Sequence, residues 1–224
     1  MLPCVFIFLF RIVLLHCLCL DYWILNMNNS LLLIIIILGF NRICSIVAGW
    51  RTFSKLSLLG SLRTVSQLIS YEILLYICLF FWLYLVFFFD FGFLGHQTGC
   101  LIAFSLPRVF LIWLLSVLAE LNRTPYDFSE GERELVRGYN VEYGSSGFTF
   151  IFLAEYGNIF FFICLTSYVI FSGRIFFSFF MFIFVLWVRS VLPRFRFDKL
   201  IGLTWKVLFP QLAFLLVLFY AACS

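Results

Sequence analysis

The sequence predicts an all-α, polytopic transmembrane protein, and three observations carry the prediction. The chain has 224 residues, of which 64% are hydrophobic and only 12% charged, with a mean hydropathy of +1.11. So little polar surface cannot cover a soluble globule of this size. The apolar residues fall into about seven runs near the roughly 20 residues a helix needs to cross a hydrocarbon core of about 30 Å. Finally, seven of the eleven carboxylates lie between residues 119 and 156. A carboxylate in mid-bilayer costs about 2.5–3.5 kcal/mol on insertion scales, so such a cluster marks water, protein or a pathway.

Taken in order, the first run, 3–20, carries Arg11 within it, lacks a basic leading segment and shows no small-x-small cleavage site. It reads as a retained helix and not as a signal peptide. Further runs follow at 31–49, 71–89, 99–119, 147–171, 175–192 and 203–222. Their connections are mostly short, so residues 1–224 form a single transmembrane domain. The 33 phenylalanines suit any lipid-facing position and carry no functional signal. Eight cysteines occur without a C-x-x-C pair and with only two histidines, His16 and His96. That pattern speaks against a zinc or iron–sulfur site and for small apolar filler.

The charges orient the chain. Loops after the second, fourth and sixth runs hold Arg51, Lys55, Arg63, Arg123, Arg133, Arg137, Arg194, Arg196 and Lys199, whereas the alternate loops hold only Arg174. By the positive-inside rule the basic loops face the matrix or cytoplasm. The N-terminus then starts on that side and the C-terminus ends on the other.

Residues 120–146 form the acidic inner-side loop, with Glu120, Asp127, Glu130, Glu132, Glu134 and Glu142 interleaved with Arg123, Arg133 and Arg137. Thr124-Pro125, Gly131, Gly138 and Gly144 break it into short pieces. Phe128, Leu135, Val136 and Tyr139 give it a face that packs on protein and not a fully solvated one. Glu120 and Arg123, at i, i+3 spacing, are expected to face one another. Glu155 sits inside the fifth run, so it must face a protein interior, pair with a cation or stay protonated; Tyr156 and Asn158 are placed to extend its network. Glu72, at the mouth of the third run, reads as an interfacial carboxylate at a helix N-terminus. Arg11, Arg42 and Arg108 fall within apolar runs, and Arg11 is long enough to snorkel.

Three blocks carry a family resemblance: AGWRTFSKLSLLGSLRTVSQLISYEI from residue 48, AELNRTPYDFSEGERELVRGYNVEY with FLAEY from residue 119, and WVRSVLPRFRFDKLIGLTWKVLFP from residue 187. Together and in this order they resemble the core membrane subunit 1 family of mitochondrial NADH:ubiquinone oxidoreductase, complex I. Leu121 stands where that family has Thr, and Arg133 and Arg137 where it has small polar residues.

The resemblance implies a subunit of a proton-pumping enzyme of the mitochondrial inner membrane, with the N-terminus on the matrix side and the C-terminus in the intermembrane space. Ubiquinone is the implied substrate, in a chamber and coupling loop to which Arg123, Asp127, Glu130, Glu132, Glu134 and Glu142 belong. Glu72, Glu120 and Glu155 are implied to form the proton path, and Arg194, Arg196 and Lys199 to dock the peripheral arm. No catalytic residue, metal or cofactor is expected on this chain alone. FMN and iron–sulfur clusters belong to partner subunits, and the implied partners are those peripheral subunits, small membrane subunits and lipid, with no nucleic acid.

The family has eight spans and a long inner loop after the first. This chain is expected to begin at the family's second helix, with a separate polypeptide supplying the first. Two other readings stay open: a truncated scaffold that docks the peripheral arm without binding quinone, and the homologous membrane subunit of a related ion-translocating hydrogenase complex.

Overall fold

Several helix ends have a visible reason in the sequence. The computed structural model describes residues 30–52, 54–86, 107–127, 143–171, 175–193 and 195–223, and among them every regular element is helical. Helix α1 (Ser30–Arg51) carries Arg51 in its last turn, where a cation complements the helix dipole. Helix α2 (Lys55–Val86) begins after Ser54, whose Oγ accepts the Ser57 N–H at 3.3 Å as an N-cap. Helix α3 (Pro107–Glu120) opens on proline, a residue whose missing N–H costs nothing at a first helical position. Helix α4 (Ser145–Phe171) follows Gly144, and α5 (Ile175–Val191) ends just before Pro193.

The last rod consists of α6 (Phe197–Leu203), a π-turn (Thr204–Leu208) and α7 (Phe209–Cys223). Pro210 explains the π-turn. It offers no N–H to the Lys206 carbonyl and its ring crowds that carbonyl. Widening the preceding turn relieves the clash, with the Phe209 N–H bonding the Thr204 carbonyl in an i to i−5 step.

Helix α2 is the central element. It packs against α1 and α3, and further along against the π-turn and α7, while α4 pairs with α5. Leu74, Leu75 and Trp82 of α2, Trp113 and Val117 of α3, and Phe161 and Phe162 of α4 fill one continuous core. The outer faces are also apolar. Phe176, Phe179, Phe180, Ile183 and Trp187 make an exposed stripe along α5, a surface that suits lipid or a neighbouring subunit and not water.

Among the described residues, four helices are long and apolar enough to cross a membrane: Ile34–Arg51, Lys55–Trp82, Ser146–Ser167 and Phe197–Leu218. The protein is therefore an all-α, polytopic membrane protein. These four overlap the expected spans at 31–49, 71–89, 147–171 and 203–222, the second beginning well before its expected start. The expected span 175–192 is the shorter apolar helix Phe176–Val191, 99–119 is described from Pro107 onward, and 3–20 lies outside the described residues.

Two expectations need correction. The basic loop assigned after the second span shrinks to positions 52–54, because Lys55 and Arg63 belong to α2. Its first turns looked like loop because Ser57, Gly60, Ser61, Thr64 and Gln67 lower the hydropathy. Those side chains are buried, and small residues at a helix contact let backbones approach closely. Likewise Lys199 lies in the first turn of α6 and not in a loop.

Close approach is tightest at Gly49 of α1, where an added methyl would overlap the Ser61 side chain of α2. Next to it, the Thr52 hydroxyl donates to the Ser57 hydroxyl at 2.6 Å. Overpacking such a contact costs about 1–3 kcal/mol. Gly49→Val is expected to lower the melting temperature of the purified protein; an unchanged melting temperature would show that α1 and α2 do not rely on this contact.

Candidate functional site

Helix α3 ends in a tight polar turn, and the rest of the site is built on it. The Leu121 N–H still bonds the Val117 carbonyl at 3.1 Å, but the Asn122 N–H reaches back to Ala119 at 3.3 Å and Asn122 takes φ 49°. Asn tolerates that left-handed conformation better than most side chains. The chain then reverses through a cis Thr124-Pro125 bond, closed by the Tyr126 N–H on the Arg123 carbonyl at 2.7 Å.

Three other elements hold this turn. From α2, the Gln67 amide donates through Nε2 to the carbonyls of Ala119 at 2.9 Å and Tyr126 at 3.0 Å. Two carbonyl acceptors fix the orientation of that amide. From the far side, the Thr124 hydroxyl donates to the Arg189 carbonyl at 3.2 Å, and the Phe195 N–H donates to Pro125 at 3.2 Å. The Tyr126 ring lies between Phe195, stacked at 5.8 Å, and Tyr71 of α2 at 6.0 Å. Burial there raises the pKa of the Tyr126 phenol above its ordinary value.

The third support is ionic. Glu155 stands in the third turn of α4, and Arg123 donates to its Oε2 at 2.9 Å. Both side chains are buried. The guanidinium also lies 5.7 Å from the Phe152 ring centroid and 5.2 Å from that of Tyr156. Positions 152, 155 and 156 share one face of a helix, so α4 presents a carboxylate flanked by two π surfaces. A planar, always-charged guanidinium fits such a cradle where a lysine would not. The expected i, i+3 pairing of Glu120 with Arg123 is thereby corrected: the helix stops at Glu120, and the left-handed Asn122 turns Arg123 toward α4. Of the three fates open to Glu155, pairing with a cation is the one observed. Tyr156 contributes its ring to Arg123, and Asn158 is buried one turn further on.

Glu72 is also corrected. It lies near the midpoint of α2 and not at a helix mouth, because α2 begins so much earlier than expected. There it forms an ion pair with Arg42 of α1, the two side chains being 6% and 14% exposed respectively. Glu120 is buried at the end of α3. Arg123 and Glu155 thus meet at the turn, Glu120 ends the helix just before it, and Glu72 follows along α2 from Gln67, which holds the turn.

Asp127 is half-buried at the end of the turn. Glu130, Glu132, Glu134, Glu142 and Arg194 lie outside the described residues. Arg196 and Lys199 are exposed at the start of α6. Sequence reasoning missed Gln67 and Tyr126, whose roles lie in distant backbone and ring contacts, and it left Arg42 without a partner. A signal for Arg42 was available: a cation and an anion in consecutive apolar helices are each costly alone.

A pocket of about 80 Å³ lies next to the Arg123 side chain, between Tyr156, Phe160, Phe182, Leu186 and Arg189. It is large enough for a few water molecules.

A family model described as NADH dehydrogenase matches residues 1–221. Among similar proteins, NADH-ubiquinone oxidoreductase chain 1 of Aedes aegypti is 44% identical over 195 residues, covering 83% of this chain and 62% of that protein. The protein of the same name from Locusta migratoria is 49% identical over 173 residues, covering 73% and 55%. That of Myxine glutinosa is 40% identical over 206 residues, covering 86% and 64%. The chain therefore spans less than two thirds of the length of these relatives.

Proposed function

Since this chain belongs to the NADH dehydrogenase family, we propose that it is a core membrane subunit of a proton-pumping NADH:ubiquinone oxidoreductase of the mitochondrial inner membrane. It walls part of the quinone chamber and begins the acidic path that couples quinone reduction to proton movement. The observation that carries this reading is the set of buried carboxylates, Glu72, Glu120 and Glu155, around the Asn122 to Asp127 turn. Ionisable groups inside membrane helices are costly, and where they persist they mark proton or substrate pathways.

The mechanism is electrostatic. Reduction of quinone changes charge and protonation beside the loop from Asp127 to Glu142. The turn is rigidly held by Gln67, Tyr126 and Arg123, so a charge change at the loop reaches Glu120, Glu72 and Glu155 as a shift in field. Each of these carboxylates then exchanges between anion and acid as its cationic partner is engaged or released. FMN and iron–sulfur chemistry is assigned to partner subunits, and the exposed Arg196 and Lys199, with Arg194, to the surface that meets the peripheral arm. The bias of basic residues toward the ends of the second, fourth and sixth expected spans supports an N-terminus on the matrix side and a C-terminus in the intermembrane space.

The test is replacement of Glu155 or Glu120 with Gln in the complete enzyme. Each variant is expected to assemble and to lose proton transfer linked to quinone reduction by tenfold or more, measured in proteoliposomes. Full pumping by an assembled variant would remove that residue from the path. Assembly without inhibitor-sensitive quinone reduction in the unmodified complex would instead favour a scaffold.

A further inference from the structure

Lys206 and Gln211 are polar side chains on the outside of a membrane-crossing rod. The rod is long and apolar enough to span from Phe197 to Leu218, and at 1.5 Å per residue Lys206 lies about 14 Å and Gln211 about 21 Å along it. Gln211 is therefore past the middle of the span. Thr204, Leu208 and Leu212 form the buried stripe of the rod, whereas Lys206 and Gln211 are exposed away from it. Among the described residues neither side chain has a hydrogen bond or an ion pair.

The two differ in how they could escape lipid. A lysine stem can extend its ammonium toward the membrane surface. A glutamine at that depth has no such reach, and in hydrocarbon its amide goes without partners. Amides inside membranes are satisfied by neighbouring helices. This chain has no carboxylate to spare for Lys206 at that depth: the only ones within its apolar runs are Glu72 and Glu155, which pair with Arg42 and Arg123.

We propose that this face of the last rod binds a transmembrane helix of another subunit, which presents a carboxylate to Lys206 and a polar group to Gln211 within the membrane. Charge sets the partner's chemistry: a purely apolar helix would strand the ammonium, and a second cation would repel it. Shape permits the approach. Gly202 lies four positions before Lys206, and an added methyl there would meet nothing within 4 Å, so a partner backbone can come close. Phe214 and Val217, each 64% exposed, continue the face with apolar contact. A phospholipid could offer Lys206 a phosphate at the membrane surface, but it has only acyl chain for Gln211. This inference takes from the proposed function only that neighbouring membrane subunits exist, and full pumping by Glu155→Gln would leave it standing.

The test uses the assembled complex with benzoylphenylalanine, a photoreactive residue, in place of Phe214. Illumination is expected to link it to one membrane polypeptide, at a peptide that mass spectrometry shows to carry Asp or Glu inside an apolar run. Lys206→Glu is expected to lower the yield of that product at least tenfold, and changing the partner's carboxylate to lysine should restore it. Gln211→Leu should lower the yield severalfold, and Lys206→Arg should match the parent. Adducts to phospholipid alone, a linked peptide without an intramembrane carboxylate, or an undiminished yield in Lys206→Glu overturns the proposal.

If Lys206→Glu does not assemble, the exchanged pair decides, with glutamate at 206 and lysine on the partner. Regained assembly supports the contact, and continued failure overturns it.

Discussion

Arg123→Met is expected to cost the subunit about 3–5 kcal/mol, the usual penalty for leaving one member of a buried ion pair without the other. The change strands Glu155, which accepts from Arg123 at 2.9 Å, and removes the cation from between Phe152 and Tyr156. The loss should appear as depleted assembled complex on native gels and as a lowered melting temperature. Adding Glu155→Gln removes the stranded charge and should recover most of the stability, although not proton transfer. If the double variant is as unstable as the single one, the cost lies in the aromatic cradle or the turn and not in the ion pair.

Gln67→Leu is expected to have the next largest effect, about 1–3 kcal/mol, the usual cost of a buried acceptor left wanting. It conserves volume but takes a donor from two buried carbonyls: Tyr126 loses its side-chain donor, while Ala119 keeps the Asn122 N–H. Because Ala119 and Tyr126 bracket the turn, the damage should concentrate there. Amide exchange at residues 121 to 127 would accelerate well before exchange in the remainder of α2. Uniform acceleration along α2 would instead mean that Gln67 stabilises its own helix and not the turn.

Much of this was open to reading from sequence, for identifiable reasons. Fold class follows from bulk hydropathy, which survives any detail of packing. Glu155 stood out because a carboxylate in an apolar run must find something to compensate it. Its partner was not legible, since Arg123 lies 32 positions away and helical spacing pointed to Glu120 instead. That spacing rule failed because one left-handed residue, Asn122, ends its validity. The start of α2 was hidden for a different reason. Ser57, Ser61 and Thr64 look like loop to a hydropathy window, yet they are buried, and the contact at Gly49 needs small neighbours. Misplacing that start also put Glu72 at a helix end and left Arg42 unpaired.

The short link between α1 and α2 has a consequence for how the protein is made. Only positions 52–54 separate the two helices, too few to let one wait in the membrane while the other is still in the synthesis machinery's aqueous channel. A link this short favours their partitioning into lipid together, as a hairpin. Presented singly, Arg42 and Glu72 would each oppose insertion, an arginine or acidic residue at mid-helix costing about 2.5–3.5 kcal/mol. Presented as a hairpin, they enter already joined, and the Tyr76 hydroxyl on the Ile35 carbonyl at 3.2 Å fixes their register. A hairpin of this kind lets the ion pair form as the two helices enter the membrane, so neither charge has to cross into lipid alone.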